Sequence, residues 1–152
     1  MLWSRTCAYA LQAMVRIAAL PEKEYVRAHD LAFYLEDVPS PYLSKILQGL
    51  AADGLLVSQK GKGGGFLLAP GVRDLRLLEV VRRIEGSGYG DACVLGLAKC
   101  ADETPCPAHH AWKPMKRDMM GMLDSRTLGE IAEKVRDGSY DLQRFRRLLP
   151  AV

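Results

Sequence analysis

Nowhere in the chain does an apolar run approach the roughly 18 residues that a membrane-spanning helix needs. The opening MLWSRTCAYALQAMVRIAAL sets arginines inside its apolar pattern, unlike a secretion signal. The expectation is a cytoplasmic protein with no membrane partner. Internal repeats and low-complexity linkers are absent. So are a nucleophile-base pair and a carboxylate dyad, and no enzyme is expected. A nucleotide-phosphate loop is excluded by pattern: in KGKGGGF no Gly-Lys-Ser/Thr opens a following helix, and the dinucleotide register would need glycine where Phe66 stands. Net charge is small, at +3, and by itself says little about partners.

What is present is more informative. With 152 residues, 49% of them apolar and 26% charged, the chain can build one ordinary globular domain and an appendage. Charge is unevenly distributed. Between residues 40 and 83, Lys45, Lys60, Lys62, Arg73, Arg76, Arg82 and Arg83 outweigh Asp53, Asp74 and Glu79. Between residues 84 and 110, Lys99 alone faces Glu85, Asp91, Asp102 and Glu103. A polyanion is attracted to the first segment and not to the second. The second holds CVLGLAKCADETPCPAHH, with cysteines at C-x6-C-x5-C and two histidines behind the third. In a reducing compartment, clustered loop cysteines more often bind metal or do redox chemistry than form disulfides. Thiolate and imidazole together make a ligand set for zinc or for an iron-sulfur cluster, and the residues alone favour neither.

Ser4 is placed to cap a first helix running to about Leu20, where Pro21 helps stop it, with Leu11, Met14, Val15 and Ala18 as its buried stripe. A second short helix spans about residues 28–35, with Arg27 where a capping Ser or Thr would help. The third is best specified. Ser40 serves as N-cap and Pro41 takes the first helical position. Leu43, Ile46, Leu47 and Leu50 recur at i, i+3, i+4 and i+7, and Gly54 ends the helix. Its polar face carries Tyr42, Ser44, Lys45 and Gln48, and the short 36–39 connection makes helices two and three a helix-turn-helix. Strands at 55–58 and 66–69 flank a turn with Lys60 and Lys62 at its tip, and Gly63, Gly64 and Gly65 allow backbone to approach another surface. The order reads as a winged helix-turn-helix that binds double-stranded DNA.

Downstream, a helix over about 75–85 turns Leu77, Leu78, Val81 and Ile84 inward, and Gly86, Gly88 and Gly90 open the cysteine loop. Trp112, Met115, Met119, Met122 and Leu123 then repeat at helical spacing as a packing stripe, within the chain or between subunits. Either Pro107 starts that helix and Pro114 kinks it, or regular helix begins near Pro114 with both histidines in a preceding turn. Thr127 and Glu130 form a capping box for a helix to about Arg136, ended by Gly138. Leu142, Phe145 and Leu149 could line a further short helix.

Residues 5–11, the segment DGLLVSQKGKGGGFLLAP, the RRIEG run, the cysteine triplet and TLGEIA together resemble the Rrf-two family of winged helix-turn-helix transcriptional regulators. The resemblance covers the chain to about residue 136. It implies a mainly α fold with a small β-hairpin wing and a long C-terminal dimerisation helix, the whole acting as a homodimer. The division it implies is a DNA-binding domain over 1–86, a cluster-binding loop over 87–110, and dimerisation and C-terminal helices over 111–152. Ser40, Tyr42, Ser44, Lys45 and Gln48 would meet bases or phosphates of a promoter, with Lys60, Lys62 and Gly63, Gly64 and Gly65 serving the wing. Trp112, Met115, Met119, Met122 and Leu123 would line the dimer interface.

By the same resemblance, Cys93, Cys100 and Cys106 match the family's cluster ligands, and His109 falls where its iron-sulfur regulators have a histidine ligand. His110 is an alternative, because neighbouring helix positions point about 100° apart. Family members that sense nitric oxide instead borrow a carboxylate near position 8 of the partner subunit. Ala8 cannot ligate, which leaves Cys7 beside it as a further alternative. Three thiolates and an imidazole favour [2Fe-2S] over [4Fe-4S], with zinc as the chemical alternative. The competing expectation is a winged-helix regulator with structural zinc or no metal, controlled by a protein partner or a small molecule.

Overall fold

In a computed structural model, the described residues are 3–21, 23–35, 38–97 and 100–139. Their elements are α1 (Arg5–Ala19), α2 (Ala28–Tyr34), α3 (Ser40–Ala52), β1 (Leu56–Gln59), β2 (Gly65–Leu68), a 3-10 turn (Val72–Asp74), α4 (Leu77–Glu85), α5 (His109–Asp124) and α6 (Leu128–Arg136). The fold is mainly α with one antiparallel hairpin. None of these helices is long and apolar enough to cross a membrane. The chain packs as two compact units, one made of residues up to Leu75 together with those from Thr127 onward, the other of Arg76–Arg126.

In the first unit, Ser4 caps α1 as expected, its Oγ accepting from the Cys7 backbone N–H at 3.1 Å. The buried face of α1 is wider than the four-residue stripe. Cys7, Ala10, Ala13 and Ile17 join Met14, Val15 and Ala18, while Leu11 is only half-buried. The cause is double packing: α1 lies against α3 on one side and against α6 on the other. Leu31, Leu43, Leu47, Leu55 and Leu128 are core residues of this unit, each at 2% exposure or less. Burying each such leucine contributes about 2 kcal/mol.

The start of α3 lies one residue before its expected position. Pro39 holds the cap and Ser40 is the first helical residue. Among the described residues no side chain caps this end, and the Pro39 carbonyl accepts from the N–H groups of Tyr42 and Leu43. At the other end, Gly54 N–H bonds Ala51 O and Leu55 N–H bonds Leu50 O, the paired closure of a Schellman motif.

The hairpin pairs Leu56 with Leu68 and Gln59 with Gly65, so each strand is shifted by one residue from the expected span. Phe66 also exchanges two backbone bonds with Val26, which ties the wing base to the segment before α2. Two glycines are required here by the protein itself. A Cβ on Gly64 would lie 2.2 Å from the Gln59 carbonyl oxygen, and one on Gly65 would lie 2.4 Å from that of Val26. Of Gly63, Gly64 and Gly65, Gly63 alone has open space beside it.

The second unit is α4, the loop behind it, and α5. Glu79 accepts from the Arg76 N–H at the start of α4. The Arg76 side chain donates to the Asp124 backbone carbonyl at the end of α5. Val80 is fully buried with Leu78 and Val81, whereas Leu77 and Ile84 are half-buried, so the inward face of α4 is rotated from the expected one. Helix α5 starts at His109 and carries Pro114 inside it, placing both histidines in its first turn. Proline has no N–H, so the His110 carbonyl lacks its usual helical donor.

Helix α6 has the expected box. Thr127 Oγ1 accepts from Glu130 N–H, and Glu130 Oε2 accepts from Thr127 N–H. The helix expected around Leu142, Phe145 and Leu149 lies outside the described residues.

Candidate functional site

The cysteine loop is shaped by its own backbone bonds before any side chain is considered. Cys93 N–H donates to Leu97 O at 3.0 Å, Gly96 N–H to Cys93 O at 2.9 Å, and Cys100 N–H to Asp91 O at 3.0 Å. Cys106 stands one short turn before α5, and its carbonyl accepts from His109 N–H at 2.9 Å. Gly90 rests on α5 so closely that a Cβ there would meet Met120 Sδ at 2.9 Å.

These constraints arrange the donors as two pairs. Cys93 Sγ lies 3.2 Å from Cys106 Sγ, and Cys100 Sγ lies 3.4 Å from His109 Nδ1. The far nitrogen of the same ring, His109 Nε2, meets Asp102 Oδ1 at 2.8 Å. Asp102 is held in turn by Lys113, whose Nζ reaches its two oxygens at 2.7 and 2.6 Å. His109 is 3% exposed while His110 is exposed, so only the first turns its ring into the loop. Cys7 is buried in α1, in the other unit. Among the described residues, no group of three or more such side chains converges tightly on a single point.

The two thiols of the close pair differ in acidity. The Leu95 backbone N–H, then the Cys106 thiol, the Leu97 N–H and the Lys116 charge hold the Cys93 thiol below the ordinary cysteine range. The bond to Cys93, followed by burial, pushes Cys106 up. Lys113, then His109, holds the Asp102 carboxyl down. Soft sulfur and imidazole donors of this kind suit zinc or iron-sulfur chemistry. A cavity of about 190 Å³ lined by Asp91, Cys100, Ala101 and Lys116 opens beside the second pair.

The residues expected to meet DNA all lie in the first unit. Tyr42, Lys45 and Gln48 are exposed on α3, and Ser40 and Ser44 half-buried. Tyr42 is anchored, its hydroxyl 2.8 Å from Thr6 Oγ1 and its ring edge-on to Tyr9. Lys60 and Lys62 are exposed in the turn between the strands. Of the stripe on α5, Leu123 is buried, Trp112 and Met119 are half-buried, and Met115 and Met122 are 64% and 56% exposed.

Sequence reasoning missed Asp102 and Lys113. The signal was available: Lys113 follows His109 by four residues, one helical turn, and so shares its face.

Comparison with known proteins agrees with this architecture. The family model described as Rrf2, an iron-dependent transcriptional regulator, matches residues 3–134. The HTH-type transcriptional regulator IscR of Enterobacter sp. (strain 638) is 27% identical over 151 residues, covering 95% of this chain and 91% of its own. IscR of Escherichia coli O1:K1 / APEC is 28% identical over 123 residues, covering 81% and 75%. Among solved structures, T. potens IscR superposes with a TM-score of 0.68 at 24% identity over 90% of each chain. CymR, the global cysteine regulator of B. subtilis, gives 0.68 at 21% identity over 86% and 95%. At these identities the structures speak for the fold, a winged helix. The family match spans most of the sequence, and the chain belongs to the Rrf2 family of DNA-binding transcriptional regulators, which are not enzymes.

Proposed function

We propose that this regulator binds promoter DNA as a homodimer and that an iron-sulfur cluster held by Cys93, Cys100, Cys106 and His109 tunes that binding. The observation that carries the reading is the pairing of donors, two sulfurs 3.2 Å apart and a sulfur 3.4 Å from a buried imidazole nitrogen. Two pairs of donors suit the two irons of a [2Fe-2S] group, while one zinc would need all four around one point. When bound, such a cluster supplies a centre that responds to electrons, oxygen or nitric oxide. His110, exposed, and Cys7, buried in α1, are the weaker candidates for a fourth ligand.

By role, residues 1–86 read DNA, 87–110 hold the cluster and 111–152 serve dimerisation. Ser40, Tyr42, Ser44, Lys45 and Gln48 contact bases and phosphates in the major groove. Lys60 and Lys62 contact phosphates from the wing, and Gly63 leaves room there for close approach. Two such heads on one two-fold axis engage major grooves about 34 Å apart. The exposed Met115 and Met122, with Trp112 and Met119, form the surface through which α5 meets its counterpart. Engaged thiolates and imidazole tie the loop to the first turn of α5. Their release loosens that tie and shifts the population of dimers whose heads match the groove spacing.

The test is anaerobic reconstitution followed by visible spectroscopy, iron and sulfide analysis, and promoter titration over a salt series. An iron-sulfide chromophore that is lost in Cys93→Ser, Cys100→Ser and Cys106→Ser proteins is expected, together with unequal promoter affinity of loaded and metal-free protein. A colourless, zinc-bearing protein, or equal affinities, would overturn the reading.

A further inference from the structure

We infer that Asp102, clamped by Lys113, is a positioning residue that fixes the tautomer of His109, so that Nδ1 is the nitrogen offered to metal, on the same side as Cys100. The inference rests on the cluster reading above and adds which nitrogen binds, which cysteine it accompanies, and what aims it.

The geometry carries the argument. A neutral imidazole has one N–H and one bare nitrogen, and which is which follows from the partner of each. Asp102 Oδ1 lies 2.8 Å from His109 Nε2, and an ionised carboxylate only accepts, so the proton belongs on Nε2. Nδ1 is left bare and faces Cys100 Sγ at 3.4 Å.

Asp102 is 64% exposed and would exchange this bond for water if it were free. It is not free, because Lys113 Nζ bridges both its oxygens at 2.7 and 2.6 Å. Lys113 and His109 are one turn apart on α5, so the helix sets the separation of the ring from the cation that aims its partner. A carboxylate on the outer nitrogen of a ligating histidine is the usual device for orienting the ring and raising its basicity. With the ring so aimed, Cys100 and His109 form one donor pair, and Cys93 and Cys106 the other.

The experiment uses full-length protein labelled with 15N-histidine, in the wild type and in Asp102→Ala, Asp102→Asn and Lys113→Met. His109 is assigned by loss of its signals in His109→Gln. In reduced, metal-free protein, two-bond 15N–1H correlation should find the His109 proton on Nε2. The bias should persist in Asp102→Asn, whose amide oxygen still accepts, weaken in Lys113→Met and disappear in Asp102→Ala. In reconstituted protein, selective Nδ1 labelling with pulsed electron paramagnetic resonance of the reduced cluster should place the strongly coupled nitrogen at Nδ1. Cluster lifetime under chelator should fall roughly ten-fold or more in Asp102→Ala and be restored by Asp102→Asn.

A wild-type proton on Nδ1, strong coupling at Nε2, or an Asp102→Ala protein with wild-type tautomer and lifetime would overturn the inference while leaving an iron-sulfur chromophore intact. Loss of the chromophore in the wild type would instead overturn the cluster reading. The tautomer measurement, which needs no cluster, would still decide the role of Asp102.

Discussion

Cys93 and Cys106 face each other with their sulfurs 3.2 Å apart, and their surroundings push their acidities in opposite directions. Backbone N–H groups and the Lys116 charge favour the thiolate at Cys93. Cys106, donating to that neighbour and half-buried beside it, keeps its proton longer. Titration of thiolate absorbance in metal-free protein should therefore show one step below and one above the ordinary cysteine range. Cys93→Ser should remove the low step and also bring the high one down, since the bond to Cys93 is what raises Cys106, while Cys106→Ser should remove the high step. By linkage, the lowered group stabilises the fold above its unfolded-state value, and that contribution is lost as pH falls through the folded-state value.

The wing lysines carry no ion pair among the described residues and are free to meet phosphate. Replacing Lys60 and Lys62 by alanine should weaken promoter binding on all sequences alike. The plot of log K against log salt should become shallower by about 3.6 units for the dimer, near 0.9 for each of the phosphates that the two lysines of each protomer no longer neutralise. An unchanged slope in fluorescence anisotropy titrations would remove the wing from the interface.

Gly65 separates a structural role from a binding role. A Cβ there would sit 2.4 Å from the Val26 backbone oxygen, and the residue's φ of 151° is one that L side chains rarely adopt. Gly65→Ala should destabilise the protein by roughly 1–3 kcal/mol in urea unfolding with no DNA present. Equal stability to the wild type would show that the segment before α2 can yield.

Met115 and Met122 are large apolar side chains left in solvent on α5. If α5 carries the proposed dimer contact, lysine at both positions should convert dimers to monomers in sedimentation analysis. Helical content should stay unchanged, because neither side chain supports the core of its own chain.

How much of this was legible in the sequence depended on whether a residue's partner was local. Ser4, the Thr127 and Glu130 box, and the apolar stripe of α3 were read correctly, because caps and helical periodicity involve residues three or four apart. The cap of α3 was misplaced by one residue because Pro39 and Pro41 flank Ser40, and either side of it can begin a helix. The start of α5 stayed open between two prolines and resolved at His109. The sulfur pairing could not be read from C-x6-C-x5-C, since spacing brings cysteines into one loop and the backbone bonds of Leu97 and Asp91 decide which meet. Asp102 went unread because its partners lie seven and eleven residues ahead, across the turn into α5. The breadth of the α1 core face was hidden for the same reason: periodicity gives a buried side, and only tertiary structure gives what lies against it.

That last point bears on how the protein is made. The chain leaves its first unit at Leu75 and re-enters it at Thr127, where Leu128 N–H bonds back to Leu75 O at 2.9 Å. Helix α6 then covers the small-residue face of α1, and Leu128 and Ala132 are fully enclosed there. A nascent chain that has emerged as far as the wing still lacks a wall of its core, and gains it only after the cysteine loop and α5 have also been synthesised. The first unit is therefore completed last, and a product cut short before Thr127 would leave the α1 face bare to the chaperones and proteases that recognise unfinished cores.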